Sequence, residues 1–587
     1  MDDVGGSKSI TLELGTTAQF SIENIFDHAF RLHVVGKIED AQLLYEKIIT
    51  VSPNHAQSLH SLGAIWYSKG QVLEAVKYFS MACQAKPGEA VFHHSLGAAF
   101  LGLQEVSKAI QCFEKALQIN PAFAGALQSL IQALYMCGRI SKAKRFERKL
   151  AALRNQAAKN YNDNGARLLN QGLFNEAIAS FKQGILCNSN APVLYNNLGL
   201  ALTDVGKTDE AIACLRHAIS LGDNLTLGHE QWRILQTSLA MALTSAGQLD
   251  EAIRIFQSVA GQDKNPTKTN FLLSFALLRK GNLEEGWPLY ELRFQKESEC
   301  TLHTVAARFS QPRWQGEPLD GKTILLYTEQ GFGDAIQFVR YVTEVARRGA
   351  KVIVECPTAL VRLFQTIPGI SQVLAEGNSL PAFDFQCPLL SLPMVFSTTL
   401  DSIPHTVPYV TVPKELVSRW RSIVEEKSSA FKIGLVWAGR RWPGGANIAI
   451  DQRRSLSLAA FAPLAAVEGI SWFSLQKGPP ATQVKNAPEG PSIVDHGIEL
   501  QDFTDTAALI ANLDLVISVD TSVAHLAGAL GKQVWLLSRF DGCWRWLLDR
   551  DDSPWYPTMR IFRQTRPGDW EGVIEKVGIE LRSIVHS

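Results

Sequence analysis

Acidic residues stand at two places in this 587-residue chain where an apolar run gives way to glycine or to small hydroxyl residues. Such places can do chemistry on a phosphorylated ligand. In DLVISVDTSVAHLAGALGKQVWLL, residues 514–537, the apolar run ends at Val519 and Asp520-Thr521-Ser522 comes next. The pattern predicts a buried strand and then a helix whose free N–H groups and dipole favour a phosphate or pyrophosphate. His525 lies five residues beyond Asp520, about one turn further along that helix. In EQGFGDAIQF, residues 329–338, Gly331 and Gly333 let the backbone turn tightly and approach a ligand, and Asp334 begins the next helix. Asp334-Ala-Ile-Gln337 also spells a D-x-x-Q capping box, which explains the carboxylate by structure alone.

Cations that could meet a diphosphate come from a third stretch. AGRRWPGGANIAIDQRRSLSL, residues 438–458, reads as a loop rich in Gly and Arg that faces the same cleft as Asp520. Arg440, Arg453 and Arg454 offer forked donors there, and Arg454, just before Ser455, is the chosen phosphate partner. Lys477 in SLQKG comes after the next strand and is a second phosphate candidate. Asp505 and Thr506 in TDTAALIANL stand where they could approach a nucleoside. Trp544 and Trp546 could stack on a sugar or a base, although aromatic packing explains them as well. Asp549-Arg-Asp551 forms a D-x-D without a strand before it, and no metal site is expected.

The elements that must position these residues alternate short apolar runs with amphipathic stretches. KTILLYTEQ, GDAIQFVRYVTEVARRG and KVIVEC open one such block, and FKIGLVWAG at 431–439 opens a second after a polar, helical connector around 413–430. This is βαβ grammar and predicts parallel sheets with crossover helices. Ligands of such sheets sit at the carboxyl ends of the strands, where the two acidic loops and the candidate cations are placed.

The first half of the chain obeys a different rule. Prolines 53, 87 and 121 fall 34 residues apart, and the same interval separates Ala41, Ala75, Ala109, Ala143, Ala177 and Ala211. Tyr45, Phe79, Phe113 and Phe181 keep step, as do Leu62-Gly63, Leu96-Gly97 and Leu198-Gly199. Thirty-four residues with this placement resembles the tetratricopeptide repeat, a helix pair that buries its face only by stacking on neighbours. Repeats are expected to start near 22, 56, 90, 124, 158 and 192, then near 233 after an insertion around 222–232, and near 267. The aromatic is expected to fill the gap between neighbouring repeats. The repeat at 124, with Ile131 for Gly and Glu147 for the aromatic, is expected to be hinged or loose. Asp27, Ser61, Ser95, Ser129, Asp163, Asn197 and Ser238 form a polar ladder along the concave groove. Protein O-GlcNAc transferases carry Asn at that position, which only Asn197 matches.

The sequence D-T-S-V-A-H-L-A-G-A-L-G resembles the D-T-x-x-x-H-L-x-x-A-L-G signature of the ADP-heptose:lipopolysaccharide heptosyltransferases, which are GT-B enzymes. The resemblance implies that Asp520, Thr521, Ser522 and His525 are donor-site residues, with Ser522 standing where the family usually has Gly. The loop with Gly331 and Gly333 is similar to that family's G-x-G-D loop, which implies Asp334 as the general base that deprotonates an acceptor hydroxyl, a poor nucleophile at neutral pH. The expected architecture is therefore an α-solenoid of tetratricopeptide repeats (22–297) followed by a GT-B-like α/β domain of two doubly wound Rossmann-like halves, 310–412 and 431–587.

Lys+Arg and Asp+Glu are both 57, which removes any global charge drawing the chain to nucleic acid. The nine cysteines form no C-x-x-C pair, no signal peptide is read in MDDVGGSKSITLELG, and no run of about 18 apolar residues occurs. A cytoplasmic, soluble chain without a membrane span is expected. The expected activity is metal-independent, inverting sugar transfer from a nucleoside diphosphate sugar, used as substrate and not as cofactor, to a protein or glycan acceptor. The repeats would hold a protein partner in their groove. Two rival expectations are an inactive repeat scaffold and an epimerase on the same fold.

Overall fold

The computed structural model describes residues 9–10, 20–222, 228–300, 302–427, 430–440, 445–485 and 491–585. Most of the N-terminal stretch, residues 223–227 of the insertion and residues 441–444 of the Arg-rich stretch lie outside the described residues. The chain divides into two compact units, 1–160 and 161–587.

Residues 22–160 are antiparallel helix pairs. First helices of successive repeats run Ile22–Val34, Ala56–Ser68, Ala90–Gly102 and Ala124–Met136. The second helices Ile38–Val51, Val72–Ala85 and Val106–Ile119 each stop two residues before a proline of the 34-residue series. That spacing is what proline dictates, because it cannot join a helix interior and disfavours helical backbone in the residue before it. Position 155, the next in the series, holds Asn155, and the helix there does not stop. Ile140–Asn170 is one helix of 31 residues. Within a repeat the recurring spacing of Gly and aromatic has a plain cause. A Cβ on Gly63 would stand 2.6 Å from the Phe79 ring, and Gly97 meets Phe113 at the same distance. The aromatic, on the second helix, therefore fills space against the first helix of its own repeat, and Phe79 and Phe113 share their apolar cores with Leu96 and Leu130 of the next repeat.

In 161–587 the same pattern continues through Phe174–Cys187, Pro192–Asp204, Thr208–Ser220, His229–Ser245, Leu249–Gln262, Thr267–Lys280 and Leu283–Tyr290. The α/β region then begins. Its first sheet comprises β1 (Thr323–Tyr327), β2 (Lys351–Cys356), β3 (Ile370–Ala375) and β4 (Phe385–Pro388), ordered β3-β2-β1-β4 and all parallel. Its second comprises β5 (Phe431–Val436), β6 (Ile470–Ser474), β7 (Ile493–Asp495), β8 (Leu515–Val519), β9 (Val534–Ser538) and β10 (Met559–Arg563). The order is β10-β9-β8-β5-β6-β7, again all parallel. Counted within each half these are 3-2-1-4 and 3-2-1-4-5-6. The order reverses between β1 and β4 in the first half and between β5 and β8 in the second, and open α/β sheets take their ligands beyond the strand ends at such a reversal. Every residue of β8 and β9 is buried, as central parallel strands require.

Residues that precede the first sheet pack on one of its faces: Phe309 lies 5.0 Å from the Tyr327 ring, Arg308 binds the buried Glu355 at 2.8 and 3.0 Å, and Arg293 binds Glu329 at 3.1 Å. The opposite face shares one apolar core with the end of the repeats and with the second half, through Leu283, Trp287, Ile324, Leu326, Ala524 and Trp546.

Candidate functional site

The stretch read as a loop after β5 is in part a helix, Gly445–Arg454. Glycines in its lead-in concealed it. Arg453 and Arg454 occupy its last turn, where cations meet the exposed helical carbonyls. Asp451 steers Arg454, its Oδ1 accepting from Nε at 3.2 Å and Nη2 at 3.0 Å, and Arg454 Nη1 donates to the Asp520 carbonyl at 3.3 Å. The guanidinium lies so close over Gly439 that it leaves no room for a Cβ there. Gln476, at the end of β6, clamps the same turn: its Oε1 accepts the N–H groups of Trp437 and Ala438 at 3.1 and 2.9 Å. Neither Asp451 nor Gln476 has a motif that would single it out in the sequence.

β8 delivers Asp520 to the carboxyl end of the second sheet. Ser518 and Thr521 share a hydroxyl hydrogen bond of 3.0 Å, and Thr521 caps the helix Ser522–Ala529 without a side-chain bond to it, leaving the first N–H groups of that helix unfilled by a cap. The Asp520 carboxylate has no ion pair or hydrogen bond among the described residues. His525 is buried between Trp546, stacked at 5.2 Å, and Tyr556, whose hydroxyl is 3.0 Å from Nδ1. Burial pushes the imidazole down to about 3 despite the Asp520 charge, with Arg545 and Arg340 adding to the fall. His525 is therefore neutral at pH 7 and serves as a hydrogen-bonding group.

The first half meets the second at this point. Thr328–Gln330 leads from β1 into the helix Phe332–Phe338, and Gly333 lies against the other helix start, a Cβ there standing 2.9 Å from the His525 ring and 3.5 Å from Ser522 Cα. The glycine is thus what lets the two candidate loops touch. The helix begins at Phe332 with Gly331 as its N-cap, so Asp334 stands in the first turn and is not the cap of a D-x-x-Q box; its Oδ2 accepts the Gly331 N–H at 2.9 Å and its Oδ1 accepts from Arg545. Arg545 also donates to Gln337 at 2.7 Å and to the Cys543 sulfur at 3.1 Å. Burial alone would lower the guanidinium pKa; Cys543 and Asp334 outweigh it and raise it, so Arg545 is a permanent cation. It lies in an aromatic run whose flanking tryptophans are the only hint of it in the sequence.

Beside this contact lies a second charged cluster that no motif announces. Glu329, its side chain fully buried, binds Arg293, which also donates to Ser391 at 2.8 Å; Ser391 in turn donates to Glu291 at 3.0 Å. Burial pushes the Glu329 carboxyl up to about 7 against the pull of Arg293. These residues gather at the end of β1 and β4 and tie the last repeat to the loop that carries Asp334.

The remaining candidates are placed elsewhere. Lys477 donates to the carbonyls of Gly497 and Leu500, so its ammonium holds the loop after β7. Arg453 bonds the Asp204 carbonyl in a repeat turn and Asp541 at 2.8 Å. The Arg440 carbonyl accepts from Arg454 at 3.4 Å. Asp505 accepts the Gln501 N–H and Thr506 bonds the Asp502 carbonyl, both at 3.1 Å, within the start of the Phe503–Ala511 helix. Trp544 and Trp546 are buried in the core, Trp544 packing edge-on against Trp287 at 5.4 Å. Among the described residues no group of three or more His, Cys, Asp or Glu side chains is placed to hold a metal ion. No described helix is long and apolar enough to cross a membrane.

In the repeats, three members of the groove ladder bond to a neighbouring repeat. His60 bonds Ser95 at 2.9 Å, His94 bonds Ser129 at 3.1 Å and Asn197 bonds Asn162 at 2.8 Å, each joining one repeat to the next.

Compared with known proteins, residues 34–90, 90–123 and 193–221 match the tetratricopeptide repeat. A curated relative, Protein FlbA of Caulobacter vibrioides, is 26% identical over 355 residues, which is 56% of this chain and 57% of FlbA. This chain thus matches little more than half the length of that relative. Among solved structures, MamA 41-end from Desulfovibrio magneticus RS-1 is 22% identical and covers 23% of this chain and 75% of its own, with a TM-score of 0.22. YrrB, a TPR protein with an unusual peptide-binding site, is 17% identical, covers 34% and 84%, and has a TM-score of 0.19. The helical first part of the chain is an array of tetratricopeptide repeats, and the part after it is an α/β region of parallel sheets.

Proposed function

We propose that the α/β region is a GT-B-like glycosyltransferase that moves a sugar from a nucleoside diphosphate sugar to an acceptor brought by the repeats. The chief support for this reading is the meeting of two strand-end loops at the sites where each parallel sheet reverses its order, with Gly333 against His525 and Ser522. The start of the Ser522–Ala529 helix and Arg454 would take the diphosphate, and the Asp520 carboxylate, without a partner among the described residues, would take sugar or ribose hydroxyls. In the transfer the acceptor oxygen bonds the anomeric carbon from the face opposite the leaving group, its proton passes to Asp334, and the carbon–oxygen bond to phosphate breaks, releasing the nucleoside diphosphate. The guanidiniums do the neutralising of charge, which makes the proposed reaction metal-independent.

A second reading has support of its own: a repeat scaffold for protein partners, favoured by the tetratricopeptide matches and by the engagement of both Asp334 oxygens. A thermal-shift panel of ADP, UDP, GDP, CMP and their sugar conjugates, on the native chain and Asp520→Ala, separates the two. A ligand at 100 times its Kd adds about 2.7 kcal/mol to stability. The transferase reading expects one nucleotide class to raise the native Tm by a few degrees and to leave the variant unmoved. A flat panel leaves the scaffold standing.

A further inference from the structure

The general base and the strongest cation of the candidate site neutralise each other. Asp334 has one oxygen on the Gly331 N–H and the other on Arg545, a residue 211 positions later on the opposite half. The pair is shielded, with the Asp334 side chain 21% exposed and that of Arg545 9%. A carboxylate held in this way is a poor proton acceptor, because protonation would abandon a buried guanidinium. Gly333 places the pair directly beside the start of the Ser522–Ala529 helix.

Resting on the transferase reading, we propose that Arg545 is an exchangeable donor-site residue: the diphosphate of an incoming nucleotide sugar draws it off Asp334, and that release arms the carboxylate as base. A diphosphate carries more charge than one carboxylate and accepts a guanidinium through two oxygens. In the exchange Nε keeps its bond to Gln337, while Nη2 leaves Asp334 and Nη1 leaves the Cys543 sulfur to make the two contacts to the diphosphate. Binding is then ordered, donor before acceptor. The device prevents the base from acting on any hydroxyl until a donor is in place.

The test is isothermal titration of ADP, UDP and GDP into the full native chain, Asp334→Asn and Arg545→Lys, with circular dichroism and Tm as folding controls. Asn at 334 still accepts the Gly331 N–H but competes weakly for Arg545. It should therefore bind the nucleotide about tenfold more tightly than the native chain, since a site free only a tenth of the time loses that factor in affinity. Arg545→Lys should bind about tenfold more weakly. Arg545 lies 4.3 Å over the Trp544 ring, so nucleotide should also change tryptophan emission in the native chain. A folded Asp334→Asn that binds with native affinity or less overturns the exchange while leaving the transferase reading intact. A native chain that binds none of the three removes both.

Discussion

The turn between the two helices of each repeat is the same object in both compact units, yet its surroundings differ. Gly36, Gly70, Gly138, Gly172, Gly206, Gly247 and Gly281 all take positive φ, and the remaining member of the series, Gln104, takes φ +59° without being glycine. In the first unit a Cβ on Gly36, Gly70 or Gly138 would meet nothing within 4 Å. In the second unit the corresponding positions touch the α/β region: Gly172 faces Ile448 at 3.0 Å, Gly206 faces Arg453 at 3.3 Å, Gly247 faces Leu548 at 3.6 Å and Gly281 faces Leu400 at 3.1 Å. One local motif, required by backbone geometry alone, is thus used a second time as a docking edge. What a repeat does is set by what it is packed against.

The largest effect expected from breaking this docking edge is at Arg453, whose side chain joins the Asp204 carbonyl to Asp541. Burial works against ionisation of Asp541, and Arg539 and Arg453 outweigh it, holding the carboxyl down at about 2. Arg453→Ala takes one of those partners away and should cost ~3 kcal/mol. Hydrogen exchange should then speed up in 200–210 and 445–454 and stay unchanged in 56–90; uniform change throughout the chain would contradict a local docking role.

A matched pair sharpens the comparison. Gly70→Ala and Gly172→Ala both force a side chain into left-handed backbone, about 1 kcal/mol each. Only the second also presses on Ile448, so it should reach ~2 kcal/mol, and equal losses of protection around the two turns would show that the packing is inconsequential. The smallest effect is a gain: Gln104→Gly relieves the one strained turn and should stabilise the first unit by about 0.5 kcal/mol, net of the extra chain entropy glycine brings. A loss of urea resistance there would sink that account.

Local rules carried much of the fold. First helices begin at 22, 56, 90 and 124, where the 34-residue spacing puts them, because proline stops and buried alanines act over a few residues. The start expected at 158 fails for an equally local reason, Asn155 in place of proline. β8 and β9 are legible as apolar runs, whereas β7 is three residues long and β4 reads Phe-Gln-Cys-Pro, too short and too polar to stand out. Of the site residues, Asp334, Asp520, Ser522, His525 and Arg454 come together, and Lys477 does not, since the carbonyls of 497 and 500 claim its ammonium.

The sequence by itself determined the repeat period, the parallel α/β grammar and the two acidic loops at strand ends, because each depends on residues close together in the chain. Only the tertiary structure decided which partners those loops meet. Arg545 on Asp334, Arg293 on Glu329 and Gln476 under the Trp437 turn bring together residues 36 to 211 positions apart. No spacing rule links them, since burial forces a charge or an amide to find whichever partner the packed halves bring near.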